Sequence, residues 1–255
     1  MKKSILSILL VAFALVGSTN LALAAASTEK LPQLEWSFKG PFGTYDKAAL
    51  QRGFLVYKSV CASCHSLKRI AFRNLEALGY SEAQIKAIAA EYTVEDGPND
   101  EGEMFDRNAR ASDYFPSPYA NVQASKYANN GAAPPDLSLM TKARKDGANY
   151  MYALLTGYTE PDEHTKLMSG QYYNKFMPGH VIAMPPPLSD EQISYGDGSP
   201  MTVEQYSQDV SHFLNWAAEP ELEARKRMGV KVLFFLIIFT GIMYGIKRKI
   251  WSDQH

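Results

Sequence analysis

The sequence predicts a mainly α-helical domain with long loops, followed by one C-terminal transmembrane helix. Three observations carry this. Apolar residues recur at helical spacing in several stretches, no strand-like alternation persists anywhere, and one long apolar run lies close to the C-terminus. The 255 residues carry a net charge of −1, which argues against nucleic acid as a partner.

Residues 1–26 start with Lys2 and Lys3, run apolar from Ile5 to Val16, and end on Ala22, Ala24, Ala25 and Ala26. That order is a secretory signal peptide; an uncleaved anchor is the alternative. Residues 27–224 then form the exported domain. Its first helix places Leu50, Phe54, Tyr57 and Cys61 on one face, with Asp46 as N-cap. A second helix is expected near Ser81–Tyr92, where Ser81 and Gln84 make a capping box. A third spans roughly Leu137–Leu155. A fourth runs from Thr202 to Ala218, with Val210, Phe213, Leu214 and Ala217 toward a core.

Residues 225–250 hold the membrane helix and its basic flanks, leaving 251–255 as a tail. From Met228 to Ile246 the only charge is Lys231, whose amine reaches back to headgroups while its stem stays in lipid. About twenty such residues cross about 30 Å of hydrocarbon. Arg225, Lys226 and Arg227 flank one end, Lys247, Arg248 and Lys249 the other, and Tyr244 and Trp251 suit an interfacial belt. The alternative is a buried core helix. Gly241 and Gly245 have a spacing that permits close helix approach. Basic residues are balanced across the span, so orientation rests on the signal peptide: domain outside, tail inside.

Residues 61–65 read Cys-Ala-Ser-Cys-His, the attachment signature of c-type haem. Two thiols with two residues between them reach the vinyl groups along one porphyrin edge, and the next histidine sits beneath the iron. A thioredoxin-like pair or half a zinc site are the alternatives, but no second cysteine pair exists to complete a zinc site. Candidates for the sixth ligand are Met104, Met140, Met151, Met168, Met177, Met184, Met201, His164, His180 and His212. Met177 and Met184 stand out because each precedes proline, which stiffens the chain around a thioether. Residues alone leave both open, with Met184 ahead.

At this point the blocks resemble a family. Val56–Ser66 around the motif, Ala128–Ser138 (ANNGAAPPDLS), Leu154–Tyr158, Met177–Pro186 (MPGHVIAMPP) and Phe213–Pro220 (FLNWAAEP) follow one another in the order seen in cytochrome c1. Those proteins are the haem-c subunits of ubiquinol–cytochrome c reductase, the bc1 complex. The resemblance implies a cytochrome c-like haem domain with one covalent haem c, His65 and Met184 on the iron, and Arg144 paired with a haem propionate. It further implies that Tyr57, Pro134, Pro135 and Tyr150 line the pocket. Some relatives carry an additional disulfide, which this chain lacks.

The resemblance also implies partners. A Rieske iron–sulfur protein would reduce the haem, a cytochrome c would accept the electron, and a cytochrome b subunit would pack on the membrane helix. The chain itself would be an electron carrier within the oxidoreductase, anchored once in a bacterial inner membrane with its haem domain periplasmic and its C-terminus cytoplasmic. Glu91, Glu95, Asp96, Asp100, Glu101, Glu103 and Asp106 form an acidic stretch that would steer a basic cytochrome c; a solvated loop is the alternative. A membrane-anchored cytochrome feeding a terminal oxidase, or a haem peroxidase, are the competing functions.

Overall fold

The computed structural model describes residues 29–163 and 165–252. The stretch read as a signal peptide, 1–26, the end of the tail and candidate ligand His164 lie outside the described residues.

Helix α1 spans Lys47–Ser59, and the Asp46 carboxylate accepts from the backbone N–H of Ala48 and Ala49 as expected. A single 3₁₀ turn at Cys61–Ser63 follows at once, then a 3₁₀ helix at Phe72–Leu78 stopped by Gly79 at φ 98°. Helix α2, Glu82–Ala90, opens on the Ser81–Gln84 capping box. A short helix α3, Val122–Ala128, is capped by Asn121. Helix α6 covers Val203–Ala218 with Thr202 as its cap.

Two expectations fail. The single helix over Leu137–Leu155 is broken into α4, Met140–Ala143, and α5, Gly147–Thr156. Arg144 is extended, and Asp146 and Gly147 follow at φ 64° and 49°. Successive left-handed residues cannot continue a right-handed helix, so the apolar periodicity on either side belongs to two pieces. Strands also occur. β1, Thr93–Asp96, pairs antiparallel with β2, Phe105–Asn108, and β3, Tyr172–Tyr173, with β4, Val181–Ile182. Neither ribbon has a fully buried face, so neither needs the alternating apolar pattern that reveals a strand in sequence.

The core lies where α1 crosses α6. A Cβ on Gly53 would stand 2.0 Å from the Asp209 carbonyl oxygen, so only glycine lets these backbones meet. Around the crossing, Leu50, Phe54, Tyr57, Val210, Phe213, Leu214 and Trp216 join one buried cluster. Phe213 lies 5.7 Å from the rings of Phe54, Tyr57 and Trp216. Asp209, 1% exposed, receives two bonds from the Arg52 guanidinium at 2.9 and 3.0 Å, so the buried charge is paired. The N-terminal segment closes the far side. Asn149 in α5 accepts from the Trp36 indole N–H at 2.7 Å, and Trp36 and Phe38 pack around His212.

Helix α7 runs unbroken from Leu222 to Trp251, beginning inside the segment assigned to the exported domain. Its most apolar window has mean hydropathy 2.1 and is wholly unburied, which removes the core-helix alternative. An apolar helix exposed all round belongs in lipid.

Candidate haem-binding site

The Cys61–Ser63 turn hangs from the C-terminus of α1. The N–H groups of Cys64 and His65 both bond to the Cys61 carbonyl at 3.1 and 2.8 Å, winding the motif into one tight turn. Tyr57, one helical turn earlier and buried, donates its hydroxyl to the His65 carbonyl at 3.2 Å. Tyr57 therefore braces the motif.

Pro134 to Ser138 fold over this turn. The His65 Nδ1 lies 2.8 Å from the Pro135 carbonyl oxygen. A carbonyl only accepts, so Nδ1 holds the proton and Nε2 keeps a free lone pair, the state an iron ligand needs. Burial pushes the His65 pKa down, against smaller upward pulls from Pro135 and Asp136, so the ring stays neutral near pH 7. Asp136 locks the arrangement. Its carboxylate accepts from the Ser66 hydroxyl and the Lys68 N–H, each at 2.9 Å, and from the Ser138 N–H at 2.9 Å. Burial alone would raise its pKa, but these bonds hold it below the usual carboxylate range.

The two cysteines form no disulfide. Burial, helped by neighbouring Cys64, pushes the Cys61 thiol up to about 12, the opposite of a reactive redox thiolate. The Cys64 sulfur receives weak contacts from Ser63 and Tyr119 hydroxyls at 3.7 and 3.9 Å. No group of three or more His, Cys, Asp or Glu able to hold a metal ion exists among the described residues, so the zinc alternative finds no support.

Met184 is half-buried against the core cluster that also receives Cys61 and Leu154. Tyr158 donates to its carbonyl oxygen at 3.1 Å. Its loop is set by Asn174, fully buried. The Asn174 amide donates to the Leu154 carbonyl at 2.7 Å, and its oxygen accepts from the N–H of Phe176 and Met177. Met177 is differently placed, its sulfur accepting from the Tyr150 hydroxyl at 3.7 Å. Met140 and Met151 are core residues, while Met104, Met168 and Met201 are exposed. Arg144 is exposed, and among the described residues its guanidinium hydrogen-bonds only to the Ala143 carbonyl and to none of the other candidates. Pro134 is half-buried, and Pro135 acts through its carbonyl.

The cytochrome C1 family model matches residues 36–254. The chain belongs to that family. It is 49% identical to cytochrome c1 of Rhodospirillum rubrum, over 88% of each chain. It is 48% identical to cytochrome c1 2, heme protein, mitochondrial, of Arabidopsis thaliana, over 94% of this chain and 82% of that one. A cytochrome b/c1 of Bradyrhizobium diazoefficiens is 53% identical over 94% of this chain, which spans only 38% of that relative's length.

As a member of the cytochrome c1 family the chain carries one covalent haem c, and the Cys61–Cys64 pair fits its attachment. The cysteine pair outside any disulfide, the neutral His65 with Nε2 available and the Met184 loop on the same core cluster as Cys61 form a donor set suited to that group. Asp136, Asn174 and Tyr158 were not anticipated from sequence. Asp136 lies within the Ala128–Ser138 stretch, but two of its three bonds reach Ser66 and Lys68, about seventy positions away, which no local pattern shows.

Proposed function

We propose that this chain is the haem-bearing electron-transfer subunit of a bc1-type quinol–cytochrome c reductase. The observation that carries the reading is the His65–Pro135 bond. It joins the C-x-x-C-H turn to the PPDLS block and leaves Nε2 free. His65 and Met184 would hold the iron, and Cys61 and Cys64 would carry the thioether links. Bound there, haem c supplies a one-electron centre whose thioether ligand favours the ferrous state. Arg144, exposed and without a carboxylate partner among the described residues, is the candidate for a propionate. Tyr150 and Pro134 complete the walls, with Tyr57 behind the motif.

A Rieske protein is the electron donor, a cytochrome c the acceptor, and a cytochrome b subunit the neighbour of α7. The name of the relative that joins cytochromes b and c1 supports the last pairing. The haem domain lies on the periplasmic side of a bacterial inner membrane, after removal of residues 1–26. The acidic stretch is narrower than its sequence suggests. Asp96 pairs with Arg107 and Glu91 with Lys58 at 2.6 Å, leaving Glu95, Asp100, Glu101, Glu103 and Asp106 exposed on and beside the β1–β2 ribbon to steer a basic acceptor.

The test is purification through a C-terminal tag, followed by a reduced-minus-oxidised spectrum. Co-purifying b-type haem and quinol-driven cytochrome c reduction would support the proposal. Recovery of c-type haem alone, or with oxidase haem, would reject it. Met184→Ala should open the iron to carbon monoxide and lower its potential; an unchanged spectrum and potential would reject the ligand assignment.

A further inference from the structure

Phe42 is 81% exposed, at the tip of a turn that the rest of the fold holds rigid. Its neighbours explain the rigidity. The Lys39 N–H bonds to the Trp36 carbonyl at 3.0 Å and the Thr44 N–H to the Ser37 carbonyl at 3.1 Å. A Cβ on Gly43 would stand 2.0 Å from the Lys39 carbonyl oxygen, so the turn closes only with glycine there. The Lys226 ammonium then donates to both ends of the turn, to the Phe38 carbonyl at 2.6 Å and the Gly43 carbonyl at 3.0 Å. Just beyond, the Tyr45 N–H bonds to the Glu223 carboxylate at 2.9 Å.

These bonds fix the height of the turn. Lys226 is two residues before Met228, where the apolar run begins, or about 3 Å along the helix axis. Glu223 is one turn earlier. The turn is therefore clamped beside the stretch of α7 that passes through the headgroup layer. Here a bare phenyl ring gains by leaving water for the acyl-chain boundary. Lys39 is in the turn itself, and Arg227 and Lys231 follow Lys226 on α7, so cationic charge suited to anionic headgroups stands at the same level. Aromatic and basic residues together are the composition of an interfacial anchor.

We infer that the Phe38–Gly43 turn is a second membrane contact, with Phe42 seated at the boundary of headgroups and acyl chains beside α7. One helix alone leaves a domain free to tilt about its entry point. A second contact to one side removes that freedom and fixes the angle of the haem domain over the bilayer.

The inference rests on α7 crossing the membrane, and the experiment keeps the two separate. Single-cysteine variants Phe42→Cys, Tyr127→Cys and Ile237→Cys of the full holoprotein would be spin-labelled in nanodiscs containing anionic lipid. Relaxation by oxygen, which partitions into lipid, is compared with relaxation by a water-soluble nickel chelate. Tyr127 is 94% exposed and is the aqueous control; Ile237, mid-span in α7, is the lipid control. The label at 42 should show an oxygen-to-nickel ratio several-fold above that at 127, approaching that at 237. A ratio equal to that at 127 would overturn the inference, as would a label at 42 shielded from both agents, which marks a protein neighbour. A water-like ratio at 237 would instead overturn the membrane assignment of α7. As a second readout, Phe42→Trp keeps an aromatic tip and should be quenched by lipids brominated near the headgroup; absence of that quenching overturns the inference too.

Discussion

Replacing Asp136 by asparagine should loosen the haem site while conserving shape. The carboxylate accepts three hydrogen bonds, two on one oxygen from Ser66 and Lys68 and one on the other from Ser138. An amide offers one acceptor oxygen only. Turned toward Lys68, it leaves the buried Ser138 N–H facing an NH₂ group; turned the other way, it abandons the Lys68 N–H. One bond to a charged acceptor is lost, worth about 1.5–3 kcal/mol, and the remaining two lose their charge assistance. The expected total is about 2–4 kcal/mol, read as an earlier guanidinium unfolding midpoint of the holoprotein by haem absorption and circular dichroism. Because the Pro135 carbonyl is carried on the same segment, the His65 ring also loses its fixed acceptor and becomes a less basic ligand. The midpoint potential should rise, by about 40 mV for each kcal/mol of lost ferric preference in a one-electron couple. Wild-type unfolding and potential in Asp136→Asn would refute the lock.

Further measurements probe other parts of the fold. His212 has its pKa lowered to about 4, mainly by burial, partly opposed by Asp46 and Asp209 and aided by Arg52. The unfolded chain therefore binds the extra proton first. This contribution is intact above about pH 6.5 and is lost as pH falls toward 4, by about 3 kcal/mol in all, while a His212→Phe variant should show a flatter pH–stability profile in the same window. Gly53→Ala should cost about 3 kcal/mol or more in thermal or denaturant unfolding, since its methyl meets the Asp209 carbonyl; a melt within a degree of wild type would disprove that crossing. Asn174→Ala frees the N–H groups of Phe176 and Met177 and should make the ferrous protein bind carbon monoxide. Neutralising Glu95, Asp100, Glu101, Glu103 and Asp106 should slow cytochrome c association at low salt and leave it unchanged at high salt, by stopped-flow.

What sequence could and could not show follows from distance along the chain. Caps, helix faces and the membrane span are local, so Asp46, the Ser81–Gln84 box, the α6 face and the apolar run after Met228 were legible from neighbours a few residues away. The break at Asp146–Gly147 was in principle visible too, but apolar periodicity on both sides concealed it. The ribbons were not legible because their four- and two-residue strands are held by backbone bonds and, in the first, by Arg107 rather than by an apolar face. Within the site, the C-x-x-C-H motif announced itself, and Met184 was separable from Met177 only through the resemblance. The Asp136 bonds to Ser66 and Lys68, the Asn174 bond to Leu154 and the Gly53 crossing pair residues far apart in sequence, where no pattern of spacing operates.

The separation of His65 from Pro135 by seventy residues has a temporal side. A chain made from its N-terminus presents Cys61, Cys64 and His65 before the segment that closes over them. During that interval both thiols are open, whereas in the finished fold Cys61 is half-buried against the core. Thioether formation suits the unfinished chain, and the arrival of residues 134–138 then seals what has been attached. The order of letters thus doubles as an order of assembly, with the lock written after the thing it locks.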